Sequence, residues 1–496
     1  MSTLKESPID FERLFFPRAI GIIGASNDPA GGGFFVRALR GKFRGNSYLF
    51  NPRLAGKILL GQKVYGSILE ISEPIDYVII AVPARVVPKV LEEVGQKSIP
   101  FCTIFSSGFR EVGNEELEEI TIQTARKYNI RIIGPNCIGV YNPKGGLFFA
   151  YEQSRKSGNL GGIFQSGGIA QNISQLIVSY GLYASKFISI GNSLDLSPVE
   201  FLKYFLNDEY TKIIGLYIES LRSTEQGRNF MDIVKKCNLN RKPVILWRAG
   251  FGEATKKAIL SHTGGLAGNN AIWKAVGKQT GSCIVSNSNE LAALASAFNL
   301  TRLPNTRNVG VIGIGGGSTI EAIDILERYN LTIPQLTDKI INKMKRFVPD
   351  VNTNLSNPID LGGMGIQPNI YYRTILALEK DPNISAIIFI KDPERFGGFE
   401  KLLDELGYKG LDLNREFIRY ISKAKNVCTK PMYCVMLKIN EGFEEYKSRY
   451  KFKLKLLNRN VPVFESLELA GTVLDKLNSY REFLQKHEKY PRSTNL

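Results

Sequence analysis

Short apolar runs rich in Val, Ile and Phe alternate with amphipathic stretches along almost the whole 496-residue chain. An apolar run of about four to eight residues closed by turn residues reads as a strand buried on both faces; the amphipathic stretch after it reads as a crossover helix. Repetition of that pair argues for parallel sheets with helices on both faces. A first block shows it in "AIGIIGAS" (residues 19–26), a strand ending in a glycine turn. A helix in "GGFFVRALRGK" and strands in "SYLFNP", "YVIIAVP" and "FCTIFSSG" follow. "NEELEEITIQTARKYN" carries acids early and bases late, as a helix dipole favours, and "IRIIGPN" closes the block as a strand. The unit has the form of a Rossmann-like mononucleotide fold.

The periodicity lapses into Gly, Lys and Ser over residues 142–159, and a first boundary falls there. A second block runs through "LGGIFQSGG", a helix from Ile169, "YASKFISIGN", "IIGLYIES", "KPVILWRAG" and "SCIVSNSNE", ending near Phe298. "LTRLPNTRN" (300–308) reads as a linker. A third block restarts with "VGVIGIGGGS" and continues with "AIIFIKDPE", "MYCVMLKIN" and "VPVFES", each followed by helix-like sequence. The predicted limits are 1–145, 146–300 and 305–480, with a charged C-terminal tail at 481–496. Length alone also predicts about three domains, at roughly 100–200 residues each. All three blocks open with strand, glycines and helix, but no fixed-period repeat links them.

Hydrophobic content of 43% with 47 glycines and 22 prolines suits a loop-rich soluble α/β protein. No apolar run approaches the roughly 20 residues of a membrane helix. The start, "MSTLKESPIDFERLF", lacks the apolar core of a secretory signal. The six cysteines (Cys102, Cys137, Cys237, Cys283, Cys428, Cys434) form no CxxC pair, and two histidines cannot supply a His-rich metal site. The expectation is a reduced, cytoplasmic protein with buried or surface thiols, no bound metal and no membrane partner. A formal charge of +17 would suit nucleic acid, but Lys and Arg concentrate only in short runs such as "KSRYKFKLKLLNRN" (447–460). A solvated face or a general lysine bias accounts for that spread, so no nucleic-acid partner is expected. Anionic substrates such as phosphates are consistent with it as well.

A strand that runs into a glycine-rich helix start presents unpaired N–H groups and the positive dipole end, which bind phosphate. Three such openings occur: Gly24-Ala25-Ser26, Gln165-Ser166-Gly167-Gly168, and the stretch from Gly313 to Ser318. A single one is weak evidence, because a tight strand-to-helix turn needs glycine anyway. The first opening is not a GxGxxG, and the second strand ends in Asn51-Pro52-Arg53 instead of the carboxylate that a ribose diol requires. An Arg there suits a phosphorylated ribose or a pyrophosphate. Coenzyme A and NADP fit it better than NAD.

His262 lies in "AILSHTGGLAG" (258–268), between Ser261 and Thr263, whose hydroxyls can hydrogen-bond a phosphate. By itself it could be an idle surface histidine. The same block holds "GLYIES", a buried strand ending in Glu219, and a carboxylate there can orient an imidazole through one ring nitrogen and leave the other nucleophilic. The Ser166-Gly167-Gly168 helix start adds a phosphate seat. Nucleophile, orienting acid and anion hole in one block suggest phosphoryl transfer through phosphohistidine.

"GIIGAS", "NPR", "AVPA", "SSGF", "GPNCIG", "QSGG", "IGLYIES", "KPVILWRAG", "SHTGGLAG", "NPIDL" and "VPVFESLELA" are spread over nearly the whole chain. On these residues the sequence resembles the alpha subunit of the ADP-forming acetyl-CoA (acyl-CoA) synthetases, in the succinyl-CoA synthetase superfamily. The resemblance implies a Rossmann-like CoA-binding domain at 1–145, followed by two flavodoxin-like, doubly wound domains. The phosphohistidine loop belongs to the first of these, at 146–300, and the third, ligase-CoA domain covers 305–480. Carried over by position, Gly24, Ala25, Ser26, Asn51, Arg53, Val82, Pro83, Ser107 and Asn136 would line the CoA site, with Asn136 facing the reacting centre. Glu219 would orient His262, which would carry the phosphoryl group, and Ser166, Gly167, Gly168, Ser261 and Thr263 would hold the phosphate. The chain departs from the family at Trp247-Arg248-Ala249-Gly250-Phe251, where a "KAGR"-like segment is usual, and at "GIGGGST" in the third opening.

All three blocks are assigned without an ATP-grasp domain, which the family places on a beta subunit or a C-terminal fusion. The resemblance therefore implies an ATP-grasp beta subunit, an alpha2-beta2 assembly, and ATP/ADP with Mg bound mainly by that subunit. The expected reaction interconverts acyl-CoA, ADP and phosphate with a small carboxylic acid, CoA and ATP, through acyl phosphate and phosphohistidine. The alternatives are a non-catalytic CoA or acyl-CoA sensor of the same fold, which would lack the loop histidine, and an NADP-binding oxidoreductase module. The latter would want a hydride-transfer acid–base residue in a first domain that has no histidine.

Overall fold

The computed structural model describes residues 9–248, 270–407, 409–440 and 442–487. Its strands gather into three sheets, and in each the fully apolar runs form the centre. In the first sheet, β1 (Ala19–Ile23) lies between β2 (Asn46–Phe50) and β5 (Tyr77–Ile80), with Ile23 opposite both Phe50 and Ile80. Next to β2 stands β4 (Gln62–Tyr65), with β3 (Ile58–Leu59) outside it. Beyond β5 stand β6 (Phe101–Ile104) and β7 (Arg131–Ile133). All are parallel except the β3–β4 hairpin. The order turns around at β1, so the crevice between β1 and β5 is the switch point at which open α/β sheets bind ligands. The hairpin was not expected: β3 and β4 are too short and too mixed in polarity to stand out as a period-two run.

The second sheet runs in the order β13 (Cys283–Val285), β12 (Val244–Arg248), β11 (Ile213–Ile218), β9 (Leu160–Phe164), β10 (Ala184–Ser189) and β8 (Gly139–Tyr141). Strand β8 is antiparallel to β10 and closes one edge. The third sheet is wholly parallel, in the order β15 (Ile359–Asp360), β14 (Val309–Gly313), β16 (Ala386–Lys391), β17 (Met432–Met436) and β18 (Val463–Phe464).

The chain forms two compact units, and their limits differ from those the periodicity suggests. The first two sheets belong to one unit, residues 1–178 with 182–286; the second holds 287–496 together with 179–181. Strand β8 precedes the expected boundary at 145 yet pairs in the second sheet, because a three-residue strand between glycine and proline turns carries no visible period. The helix Ser288–Leu300, expected to end the second block, lies in the second unit. The charged tail expected from 481 begins as the end of the helix Leu467–Lys486, whose last turns bury Arg481, Phe483 and Leu484. Charge alone hid that apolar stripe. Arg481 donates to the Pro304 carbonyl at 2.9 Å, so its cationic head is used internally.

One hydrophobic cluster runs from the first sheet into the second. Phe11, on the short helix Phe11–Phe15, stacks 6.2 Å from Phe101 and meets Phe201 at 5.3 Å. Such aromatic contacts add about 0.5–1.5 kcal/mol beyond burial. Asp76, buried just before β5, gathers the segment onto the sheet: its carboxylate accepts from the Arg13 Nε and from the Arg18 backbone N–H and Nε, all at 2.8–2.9 Å. Burial opposes its ionisation, but the hydrogen bonds from Arg18 and Arg13 outweigh that and hold the carboxyl well below its ordinary value. A depressed folded pKa means a contribution complete above the unfolded value near 3.8 and lost as the pH falls further. Asp76→Asn is therefore expected to lower the midpoint of chemical denaturation at pH 7 and to flatten its fall below about pH 4. Parallel acid limbs in the two proteins would remove Asp76 from the acid response.

Candidate functional site

Because the strands of the first sheet are parallel, their C-terminal ends lie along one rim, and the predicted CoA residues fall on it. At the end of β1, Gly24 has φ +89°, and a Cβ there would lie 2.3 Å from the Ala81 carbonyl oxygen. The backbone of β1 thus closes onto the end of β5 where only glycine fits. Ala25 is buried, and Ser26 Oγ accepts from the Asp28 N–H at 3.2 Å, turning the chain toward the helix Gly32–Leu39. At the end of β2, the Asn51 side chain donates to the Ala25 carbonyl at 2.8 Å and accepts from the Arg53 N–H at 3.0 Å. Asn51 therefore ties the β1 turn to the β2 end and works as a positioning residue. Arg53 is exposed, and its guanidinium has no ion-pair partner among the described residues.

Val82 and Pro83 follow β5, and the Ser106 hydroxyl donates to the Val82 carbonyl. Ser107, exposed after β6, belongs to a loop held by Glu111, which accepts from the Gly108 N–H at 2.6 Å and the Phe109 N–H at 3.2 Å. Glu111 reaches further and accepts from Asn192 Nδ2 at 2.5 Å, linking this loop to the end of β10. After β7 comes Asn136, at φ +59°, whose N–H donates to the Ser106 carbonyl at 3.0 Å. Asn tolerates that left-handed backbone better than most residues.

Asn136 stands where the chain passes from the first sheet to the second, between β7 and β8. Gly191, after β10, packs its backbone against this turn: a Cβ would lie 2.1 Å from the Pro135 carbonyl oxygen and 2.5 Å from that of Asn136. The side chain of Ile138 lies against Gly167, 3.3 Å from where a Cβ would stand. Two ion pairs clamp the same region, Arg131 to Asp195 at 2.8 Å and Arg222 to Glu118 at 2.9 Å. The rim of the first sheet therefore meets the rim of the second at residues 136–138.

On the second rim, Gln165 follows β9, and the helix Gly167–Leu176 comes next. Ser166 is its N-cap, and its Oγ accepts from the Ile169 N–H at 3.4 Å; Gly168 is exposed and Gly167 half-buried. Glu219 follows β11, the neighbour of β9, and is only 5% exposed. Tyr217 shares its face of the strand at a spacing of two residues. Burial, and then the Glu219 carboxylate, push the Tyr217 phenol above its ordinary value.

Gln165 begins the second glycine-rich opening, and its side chain is turned to the backbone after β11. Its Oε1 accepts from the N–H groups of Glu219 and Ser220, and its Nε2 donates to the Ser220 carbonyl at 2.9 Å. It joins the two strand ends and sets Glu219 beside the Ser166 turn. A buried Gln directly after an all-apolar strand is the signal that could have found it. Cys137 is no nucleophile: burial pushes its thiol up to about 12.

Among the predicted residues, His262, Ser261 and Thr263 lie outside the described residues. The strand that precedes them in sequence, β12, ends at Arg248, opposite Ile218 and thus next to Glu219. Among the described residues no group of three or more His, Cys, Asp or Glu side chains is placed to hold a metal ion. No helix there is long and apolar enough to cross a membrane.

Two family models match: a CoA-binding domain over residues 18–143 and a succinyl-CoA ligase-like flavodoxin domain over residues 157–298. An ADP-forming acetate–CoA ligase of Methanocaldococcus jannaschii is 36% identical over 71% of this chain, which spans about half (49%) of that protein's length. The alpha subunit of ADP-forming acetate–CoA ligase II of Pyrococcus furiosus is 35% identical over 77% of this chain and 83% of its own. A solved structure, the dinucleotide-forming acetyl-coenzyme A synthetase 1 of Ca. Korarchaeum cryptofilum in complex with phosphate and ADP, superposes with a TM-score of 0.81 at 28% identity. It covers 96% of this chain and 99% of its own. With a CoA-binding sheet and a succinyl-CoA ligase-like sheet joined at one rim, and relatives that share about a third of their residues over most of a subunit, the chain belongs to the ADP-forming acetate–CoA ligase family.

Proposed function

We propose that this chain is the CoA-binding, phosphohistidine-bearing subunit of an ADP-forming acid–CoA ligase. The observation that carries the reading is the meeting of the two rims at residues 136–138, which brings the strand ends suited to CoA beside the Ser166 helix start and Glu219.

In the synthetic direction a ring nitrogen of His262 attacks the γ-phosphorus of ATP; a P–N bond forms, the bond to the bridging oxygen breaks, and ADP leaves. A carboxylate oxygen of the acid then attacks the same phosphorus, the P–N bond breaks, and an acyl phosphate forms. The CoA thiolate attacks the acyl carbon, the C–O bond breaks, and phosphate leaves. The N–H groups at Ser166, Gly167 and Gly168, with the hydroxyls of Ser261 and Thr263, hold the phosphoryl oxygens where charge accumulates. Glu219 accepts a hydrogen bond from the N–H of one His262 ring nitrogen, fixing the tautomer and stabilising the charged imidazole. Arg53 meets a CoA phosphate; Gly24, Ala25, Ser26, Val82, Pro83 and Ser107 form the bed along the rim, and Asn136 faces the reacting centre. An ATP-grasp partner, in an alpha2-beta2 assembly, holds ATP or ADP with Mg, in keeping with relatives named as alpha subunits. The setting is cytoplasmic.

The test is the chain purified with its ATP-grasp partner and given ATP, CoA and a panel of small carboxylic acids. Sustained release of ADP, beyond the single equivalent that accompanies labelling, is expected only with both acid and CoA, and ATP labelling of the chain only when the partner is present. No CoA-dependent ADP release with any acid would refute the reading. In calorimetry, Arg53→Ala should bind CoA about tenfold or more weakly, since a charge-assisted phosphate contact is worth roughly 1.5–3 kcal/mol. Unchanged affinity would take Arg53 out of the site.

A further inference from the structure

Arg110, Glu111, Glu118, Asn192 and Arg222 close a ring between the first sheet and the second. Arg110 and Glu111 belong to the loop after β6, close behind Ser107. Glu118 stands on the helix Glu115–Lys127, Asn192 follows β10, and Arg222 lies just past Glu219 on the segment after β11. Glu118 Oε1 takes both guanidinium groups, Arg110 Nε at 3.0 Å and Arg222 Nη2 at 2.9 Å. Arg222 Nε donates to the Asn192 carbonyl at 3.3 Å, and Asn192 Nδ2 donates to Glu111 Oε2 at 2.5 Å. The chain itself joins Glu111 to Arg110 and completes the circuit.

Asn192 is the joint of the ring. It is buried, and its two polar ends serve different loops. Its backbone carbonyl holds Arg222, and with it the segment that begins at Glu219. Its side chain holds Glu111, whose other oxygen accepts from the Gly108 and Phe109 N–H groups and so shapes the loop that carries Ser107. A carboxylate only accepts, so the amide must turn its nitrogen to Glu111. Its Oδ1 has no hydrogen-bond partner among the described residues, which leaves Glu111 to set the orientation.

We propose that Asn192 and Glu111 are positioning residues of the acid–CoA ligase reaction, keeping the CoA loop in register with the segment that carries Glu219. The inference rests on the ligase reading above. Both residues act through the loops they hold. Acyl transfer to CoA requires the thiolate in line with the acyl carbon, and a misplacement of about 1 Å costs on the order of 10²-fold. Phosphorylation of His262 by ATP needs no CoA, so the brace matters for the CoA-dependent step alone.

The test is a swap of donor and acceptor across the Glu111–Asn192 contact. Asn192→Asp sets two carboxylates against each other and leaves in place the carbonyl that holds Arg222. In the full chain, hydrogen–deuterium exchange of peptides covering 106–112 should quicken about tenfold, and that of peptides covering 219–230 should not change. In the complex with the partner, CoA-dependent turnover should fall about 10²-fold, with ATP labelling of the chain within about twofold of the parent. Adding Glu111→Gln should bring exchange and turnover back to within about threefold of the parent. Its amide oxygen still accepts from the loop N–H groups, and its nitrogen donates to the new carboxylate. Asn192→Ala removes the donor without adding a charge and should give the same pattern more weakly. Unchanged exchange at 106–112 in both single variants, a double variant no better than Asn192→Asp, or labelling that falls in step with turnover would each overturn the proposal. Failure of the ligase reading shows in the parent protein, whereas failure of this one shows only in the variants. The exchange measurement needs no turnover and decides the linkage in either case.

Discussion

His262→Ala is expected to abolish the acid-labile phosphoryl label and net acyl-CoA synthesis together, with activity falling roughly 10⁴-fold or more, the scale for loss of an essential nucleophile. The proposed phosphoryl transfer requires a group that accepts the phosphoryl at one site and releases it at another at similar energy. A serine ester is too stable for that, whereas the P–N bond of a phosphohistidine is labile. Glu219→Gln keeps the shape and the Gln165 clamp, in which Gln165 Oε1 accepts from the backbone N–H groups of residues 219 and 220. It removes the charge proposed to stabilise the imidazolium, so label formation should slow by roughly 10²–10³-fold while CoA affinity holds. His487 is the internal control. It ends the helix Leu467–Lys486, with Nδ1 2.9 Å from the Phe483 carbonyl oxygen and its ring 4.5 Å from the Phe483 ring. A label that persists in His262→Ala and vanishes in His487→Ala would sink the mechanism.

Gly24→Ala is expected to destabilise the chain by about 2–4 kcal/mol and to abolish measurable CoA binding. Two effects act together. At φ +89° an L side chain is strained, and the new methyl would lie 2.3 Å from a backbone oxygen of Ala81 that the β1–β5 pairing holds in place. Relief requires parting β1 from β5 at the switch point, which opens the crevice proposed for CoA. Gly168→Ala is the contrast: nothing stands within 4 Å of its Cβ, and it lies in the first turn of a helix. The fold should tolerate it, with a gain of about 0.4–1 kcal/mol from the unfolded chain. Denaturant midpoints and CoA calorimetry on both variants separate the outcomes. A Gly24→Ala protein as stable as its parent would contradict the close approach.

Where a strand was apolar throughout, it was legible in the sequence. The runs at "YVIIAVP" and "IIGLYIES" became β5 and β11, and the residues that end them, Val82 and Glu219, stand on the rims. Strands β3, β4, β8 and β15 were not legible, because two to four residues show no period and owe their pairing to the partner strand. Gln165 and Glu111 were passed over for a related reason. Each acts on backbone groups far away in sequence, so nothing local to either residue announces the clamp. Asn51 was read as a ligand residue, and the structure gives its side chain a structural task first.

The sequence by itself determined the alternation of buried strands and crossover helices, the glycine-ended turns, and which residues fall at strand ends, since period and turn chemistry are local properties of the chain. Only the tertiary structure decided that β8 crosses into the second sheet, that the first two blocks share one core, and that Arg449 and Lys453 point inward while their neighbours in the same basic run face water. Each of these depends on which surfaces meet, and burial becomes favourable only once the partner surface is in place.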